Sequence, residues 1–266
     1  MKFFRYCCFI ILAAVLFFFS GCVDQQAPTK IELPSDMIVE EDFLADLNND
    51  GMPETIIIAS CDSESVEYED FITLYVSGGL ELYKIDITDG SYESAFITAT
   101  DSGKPCLLIN TAFIDYNAEM FSFNGIEPVL RESISGLVTK VSGSEITIED
   151  DTDVFGSWYY TRDFILSDDF TLKPVSDYRI KMVDQKESLH TIKKLPVEIL
   201  IEGVYVQQTL NEDTYIYPIS TDGISYMNFR LEDGSEGRIT YTYEDYKFYI
   251  DGIHEDEYFD NIGYWG

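Results

Sequence analysis

"DLNNDGMPETIIIAS", Asp46 to Ser60, joins two unlike halves. The first carries oxygen-bearing side chains at Asp46, Asn48 and Asp50, then Gly51, then Glu54. The second is a β-branched run of the kind that fills a buried strand. Such a loop has two physical readings. In one, hard oxygens at positions one, three and five, a backbone carbonyl at seven and a carboxylate at nine gather on Ca2+. In the other, the same short side chains bond their own backbone amides in a solvated turn. Counted from Asp46, the metal donors would be Asp46, Asn48, Asp50, the Met52 carbonyl and Glu54. Position twelve is Ile57, where an EF-hand requires glutamate and a flanking helix. The loop instead links "EDFLA" to "TIIIAS", strand to strand.

Outward from the loop the same texture repeats. Short alternating or β-branched runs ("FITLYVSG", "LELYKIDIT", "SAFITAT", "CLLIN", "EMFSFNG", "GLVTKVSG", "SEITIED", "SWYYTRDFIL") are broken by Gly, Asn and Asp. No stretch after the N-terminus sustains a helical period, so the class is all-β. The strand, loop and strand arrangement resembles the FG-GAP/VCBS repeat, whose signature D-x-[ND]-x-D-G-x-x-[DE] leads into a hydrophobic strand. Asp46, Asn48, Asp50, Gly51 and Glu54 match it, and "TIIIAS" follows. That resemblance implies a propeller-like antiparallel sheet domain and a calcium loop. No second copy is present: "DITDGSYES" has its acids at other intervals, and "DDTDVFGSW" has Phe155 before the glycine. A partial, propeller-like assembly over residues 38–182 is therefore expected.

The N-terminus, "MKFFRYCCFIILAAVLFFFSGCVDQQAPTK", sets Lys2 and Arg5 before an apolar run from Cys7 to Phe19. That is the layout of a secretory signal, too short to span a membrane comfortably. Ser20-Gly21 before Cys22 resembles a bacterial lipobox. Residues 1–21 then form a signal peptide, Cys22 carries lipid, and residues 22–37 are a polar tether. The expected location is the outer face of a bacterial membrane, held there by the lipid. The alternative is an ordinary cleaved signal with an incidental cysteine.

Charge narrows the partners. Against 17 Lys and Arg stand 49 Asp and Glu, a formal charge of −32. Loss of residues 1–21 removes only Lys2 and Arg5, giving −34. So negative a surface repels phosphate backbones and concentrates cations, which excludes nucleic acid as a partner. Cys61 and Cys106 remain outside the signal; a disulfide and two buried thiols are both open.

"MVDQKESLHTIKKLP" is polar and locally basic, so residues 183–194 are expected to link two domains. The last block, 195–266, contains the hairpin "YMNFRLEDGSEGRITYTY" and resembles a small SH3-like barrel. Its aromatics Tyr226, Phe229, Tyr241 and Tyr243 either line a peptide or glycan groove or fill the core. Catalytic signals are few. There are two histidines, His190 and His254, and no GxSxG, HExxH or phosphate loop. The expected function is a non-catalytic, calcium-binding surface lipoprotein that binds a protein or cell-wall glycan. An envelope polysaccharide hydrolase with paired carboxylates is the alternative.

Overall fold

The computed structural model describes residues 31–35, 37–61, 72–79, 81–87, 90–112, 115–181 and 188–264. The expected signal peptide and Cys22 lie outside them. Among the described residues there is no α-helix, only strands and one 3-10 turn at Glu255–Glu257. The all-β class therefore holds.

The chain opens with a four-stranded up-and-down sheet: β1 (Met37–Ala45), β2 (Glu54–Cys61), β3 (Ile72–Gly78) and β4 (Glu81–Ile87). A second follows: β5 (Ser91–Ala99), β6 (Pro105–Ala112), β7 (Tyr116–Asn124) and β8 (Glu127–Ser135). In both, every strand is antiparallel to the one before it. β6 shows why its sequence is a continuous apolar run rather than an alternation. Successive side chains point to opposite faces, and here both faces are covered. Leu107 and Ile109 pack with Ile56, Leu74 and Phe121 on one side, while Cys106 and Leu108 pack with Val138, Ile146 and Ile148 on the other. The second sheet thus lies between the first sheet and the strands that follow it. Asn110, fully buried on the Leu108 side, bonds both backbone groups of Val138: its Nδ2 donates to the carbonyl at 2.8 Å and its Oδ1 accepts the N–H at 3.0 Å.

The third sheet is wide. It contains β9 (Leu137–Ser142), β10 (Glu145–Asp153), β11 (Ser157–Leu166), β12 (Leu172–Pro174), β13 (Tyr178–Ile180), β14 (Leu189–His190), β15 (Leu195–Ile201), β16 (Val204–Leu210), β17 (Tyr215–Thr221), β18 (Tyr226–Leu231) and β19 (Glu236–Thr240). Its order is β16-β15-β19-β18-β17-β13-β11-β10-β9, with β12 on β11 and β14 on β17. A small last sheet holds β20 (Thr242–Glu244), β21 (Lys247–Ile250) and β22 (Ile253–His254). No sheet closes into a barrel among the described residues.

The pairs Tyr178↔Thr221 and Arg179↔Ser220 carry the wide sheet across the expected linker. Its core crosses as well. Phe155, in the tight turn between β10 and β11 at φ 55°, is fully buried among Tyr241, Phe248 and Phe259, with ring centroids 5.3, 5.6 and 5.7 Å away. Trp158 joins the same cluster, its Nε1 donating to the Val154 carbonyl at 2.9 Å. Ser157 N donates to the Gly263 carbonyl at 2.9 Å. The wide sheet and the core around Phe155 therefore join residues 137–181 to the last block, while Val138, Ile146, Ile148 and Leu166 pack against the second sheet. Cys61 and Cys106 are both free thiols. Burial pushes the Cys106 thiol up to about 12.

Candidate functional site

The "DLNNDGMPE" loop spans the turn between β1 and β2, whose closing pair is Ala45↔Glu54. Leu47 fixes it from below, 3% exposed in the core between the first two sheets. Its N–H donates to Glu54 Oε2 at 2.7 Å. Above it the side chains organise the backbone. Asp46 accepts from Asp50 N at 3.1 Å and Gly51 N at 2.9 Å, one through each oxygen. Asn48 Oδ1 also accepts from Asp50 N at 2.9 Å, and Asp50 Oδ1 accepts from Met52 N at 2.8 Å. Asn48 Nδ2 bridges the two remaining acids, donating to Asp50 Oδ2 at 3.0 Å and Glu54 Oε1 at 3.1 Å. Asp46, Asn48, Asp50 and Glu54 thus share one hydrogen-bonded cluster.

Backbone shape explains two of the intervening residues. Asn49 and Gly51 have φ of 60° and 86°, in the left-handed region that Gly enters freely and Asn tolerates. A Cβ on Gly51 would meet nothing within 4 Å, so backbone conformation rather than space calls for glycine there. Gly78 on β3 is the opposite case. A Cβ there would stand 2.7 Å from Glu54 Cγ, so glycine makes room for the glutamate.

Glu54 is 4% exposed, and burial raises its carboxyl above the ordinary glutamate range. Asp50 and Asp46 push it the same way, against the stabilising amide of Leu47. None of the ion pairs among the described residues brings Lys, Arg or His to these acids. The donor set is chemically suited to a hard divalent cation: three carboxylates, the Asn48 amide oxygen and the Met52 carbonyl, oxygens throughout. No three His, Cys, Asp or Glu side chains among the described residues are gathered tightly enough to form a metal cluster. The acids of this loop are turned to amide hydrogens instead.

The four aromatic candidates separate. Phe229 is fully buried and Tyr241 is 5% exposed, both in the C-terminal core. They fill the interior and line no groove, because alternation along β18 sends Phe229 inward. Tyr226 is half-buried, with its hydroxyl on Asp177 at 2.8 Å and the Arg238 guanidinium 4.0 Å over its ring. Tyr243 alone is well exposed, at 51%.

A further concave feature went unmarked in the sequence. Tyr116 and Tyr159 flank a cleft of about 200 Å³ with Asp115, Glu149, Asp150 and Asp151. Two of its acids have structural partners: Glu149 pairs with Lys181, and Asp150 accepts from Ser135 at 2.9 Å. Its residues come from β10, β11 and the starts of β7 and β9, so no local pattern betrays it. The buried role of Glu54 was likewise hidden, although its place before "TIIIAS" was the available signal. Comparison of the chain with family models, with curated proteins and with solved structures finds no match.

Proposed function

We propose that this chain is an exported, lipid-anchored and non-catalytic binding module whose first sheets are stabilised by calcium held in the Asp46–Glu54 loop. The observation that carries the metal is the side-chain cluster itself: a buried Glu54, with no cationic partner among the described residues, beside Asp46, Asn48 and Asp50. Burial, with a smaller push from Asp50 and Asp46, raises the Glu54 carboxyl, and a cation there would offset both. The two consecutive four-stranded meanders support the propeller-like reading, since that sheet unit is what an FG-GAP/VCBS-type assembly repeats. The SH3-like reading of residues 195–266 rests on their short strands, β15–β19 in the wide sheet and β20–β22 in the small one. The anchor rests on Cys22 and its lipobox-like setting, and the partner is a surface protein or a cell-wall glycan.

Thermal melting with and without calcium tests this. A ligand that binds the native state alone, at a hundredfold its Kd, stabilises it by about 2.7 kcal/mol. For a domain of this size that raises the Tm by roughly 5–10 °C. Chelation should remove that gain, and Asp50→Ala should abolish it. Glu232→Ala, an exposed acid outside the loop, should leave it intact. Equal stabilisation by sodium chloride at matched ionic strength, unaltered by Asp50→Ala, would reduce the loop to an acidic turn.

A further inference from the structure

The wide sheet ends at β16, and no described strand pairs with the outer side of that strand. Its sequence, "VYVQQTL", has no charged residue and no proline. Every other edge strand of three residues or more carries a charge, such as Glu41 in β1, Lys84 in β4, Glu93 in β5, Arg131 in β8 and Lys140 in β9. Charges and bulges are how sheet edges are kept from pairing. The β1, β5, β8 and β9 pairings also contain register shifts, whereas β16 runs against β15 in unbroken register over all seven residues. Among the described edge strands of three residues or more, β16 alone lacks both charge and bulge, in a chain with 49 acids.

The side chains indicate what would fit. On the core side of the sheet, Ile199 is opposite Val206 and Ile201 is opposite Val204. Exposure rises outward from 8% at Ile199 to 42% at Val206, and Ile201 and Val204 stand at 43% and 63%. The apolar stripe of the core thus continues to the rim and is left uncovered there. Glu202 lies just before the strand, and Glu212 and Asp213 lie just after it, all exposed. A strand added antiparallel would place its ends beside these acids. A second copy of this chain fits poorly. Self-pairing centred on Gln207 would set Glu202 against Glu212 of the other copy, between two bodies of formal charge −32.

We propose that the outer side of β16 takes an added strand from a basic, extended peptide segment with an apolar residue at every second position. Backbone hydrogen bonds along β16 would supply affinity, and the Val204 and Val206 stripe with the flanking acids would supply selectivity. The proposal rests on the reading of the chain as a binding module and names the class of partner, independently of calcium.

The test uses the full chain and a synthetic peptide of alternating Thr and Val with two lysines at each end. Titration followed by anisotropy should show binding that weakens with salt. Amide exchange should slow over residues 204–210 on adding the peptide. Val206→Lys should weaken binding by about tenfold or more, whereas Ile224→Lys, 76% exposed in a distant turn, should not. If Val206→Lys alters the melt, Val204→Lys, farther out on the rim, takes its place. Equal binding of the same peptide with glutamates for lysines would overturn the proposal. So would exchange at 204–210 that stays unchanged with bound peptide, or protection there that grows with protein concentration alone, which would assign the edge to a second copy. Binding of wall fragments with no change over 204–210 would overturn the edge assignment and leave the binding-module reading standing.

Discussion

At Glu255, burial and charge are sharply opposed. It is 3% exposed, and both its oxygens accept from the Tyr264 hydroxyl, at 2.8 and 2.9 Å. Burial, then Asp256 and Asp153, push its carboxyl up to about 7, although the Tyr264 bond pulls downward. A carboxyl whose folded value is raised contributes stability at pH below its unfolded value of about 4.3 and loses it as pH climbs through the folded one. Between pH 5 and 8 that loss is on the order of 2–3 kcal/mol. Melting curves of the parent and Glu255→Gln should therefore diverge with pH. The parent should lose several degrees more than the variant on going from pH 5 to 8. Parallel profiles would mean that Glu255 titrates as an ordinary surface acid. Nothing in "HEDEYFDN" marks this glutamate from its neighbours, because groups that act on it come from β10, β21 and the segment around Tyr264. The acids of the "DLNNDGMPE" loop were legible for the opposite reason: their partners lie within nine residues of one another.

Among the elements, β6, like β3, has no solvent face. Leu108 is fully buried between the second sheet and β9–β11, whereas Leu82 on the edge strand β4 is 49% exposed. Leu108→Ala should cost about 2–5 kcal/mol. Leu82→Ala should stay within about 0.5 kcal/mol. Denaturant midpoints at constant slope would measure both, and similar costs would contradict the layered arrangement. "CLLIN" could be read as a strand because four apolar residues in a row satisfy two cores at once. "GLVTKVSG", "SEITIED" and "SWYYTRDFIL" likewise match β9, β10 and β11. The three residues of β13 and the two of β14 are too short for any period, yet β13 carries the wide sheet across to β17. The expected linker at 183–194 therefore falls between β13 and β17, which pair in one sheet. Phe155, beside a glycine in an acidic stretch, is both a turn residue and the centre of an aromatic core, and nothing local marks the second role.

Across the whole molecule, the two ends of the chain are built from contacts of different reach. In the first two sheets each strand pairs with its immediate predecessor, so β1 to β8 need only hairpin closures. The rear core joins Phe155 to Phe259 and Ser157 to Gly263. Long-range pairing is slow, because loop-closure entropy is lost before any contact repays it. Refolding is therefore expected in two phases: an early gain of strand signal, then a later burial of Trp158, which is 7% exposed in the finished core. Deleting residues 252–266 should keep the early phase and remove the later one; a single phase seen alike by both probes would refute the sequence of events. The bond from Ser157 to Gly263 then acquires a meaning in time. While the chain emerges from its N-terminus, the strands of the first two sheets and the β10–β11 hairpin can pair, but the core around Phe155 waits for a segment made about a hundred residues later. Throughout that interval the rear core is expected to be the part open to proteases.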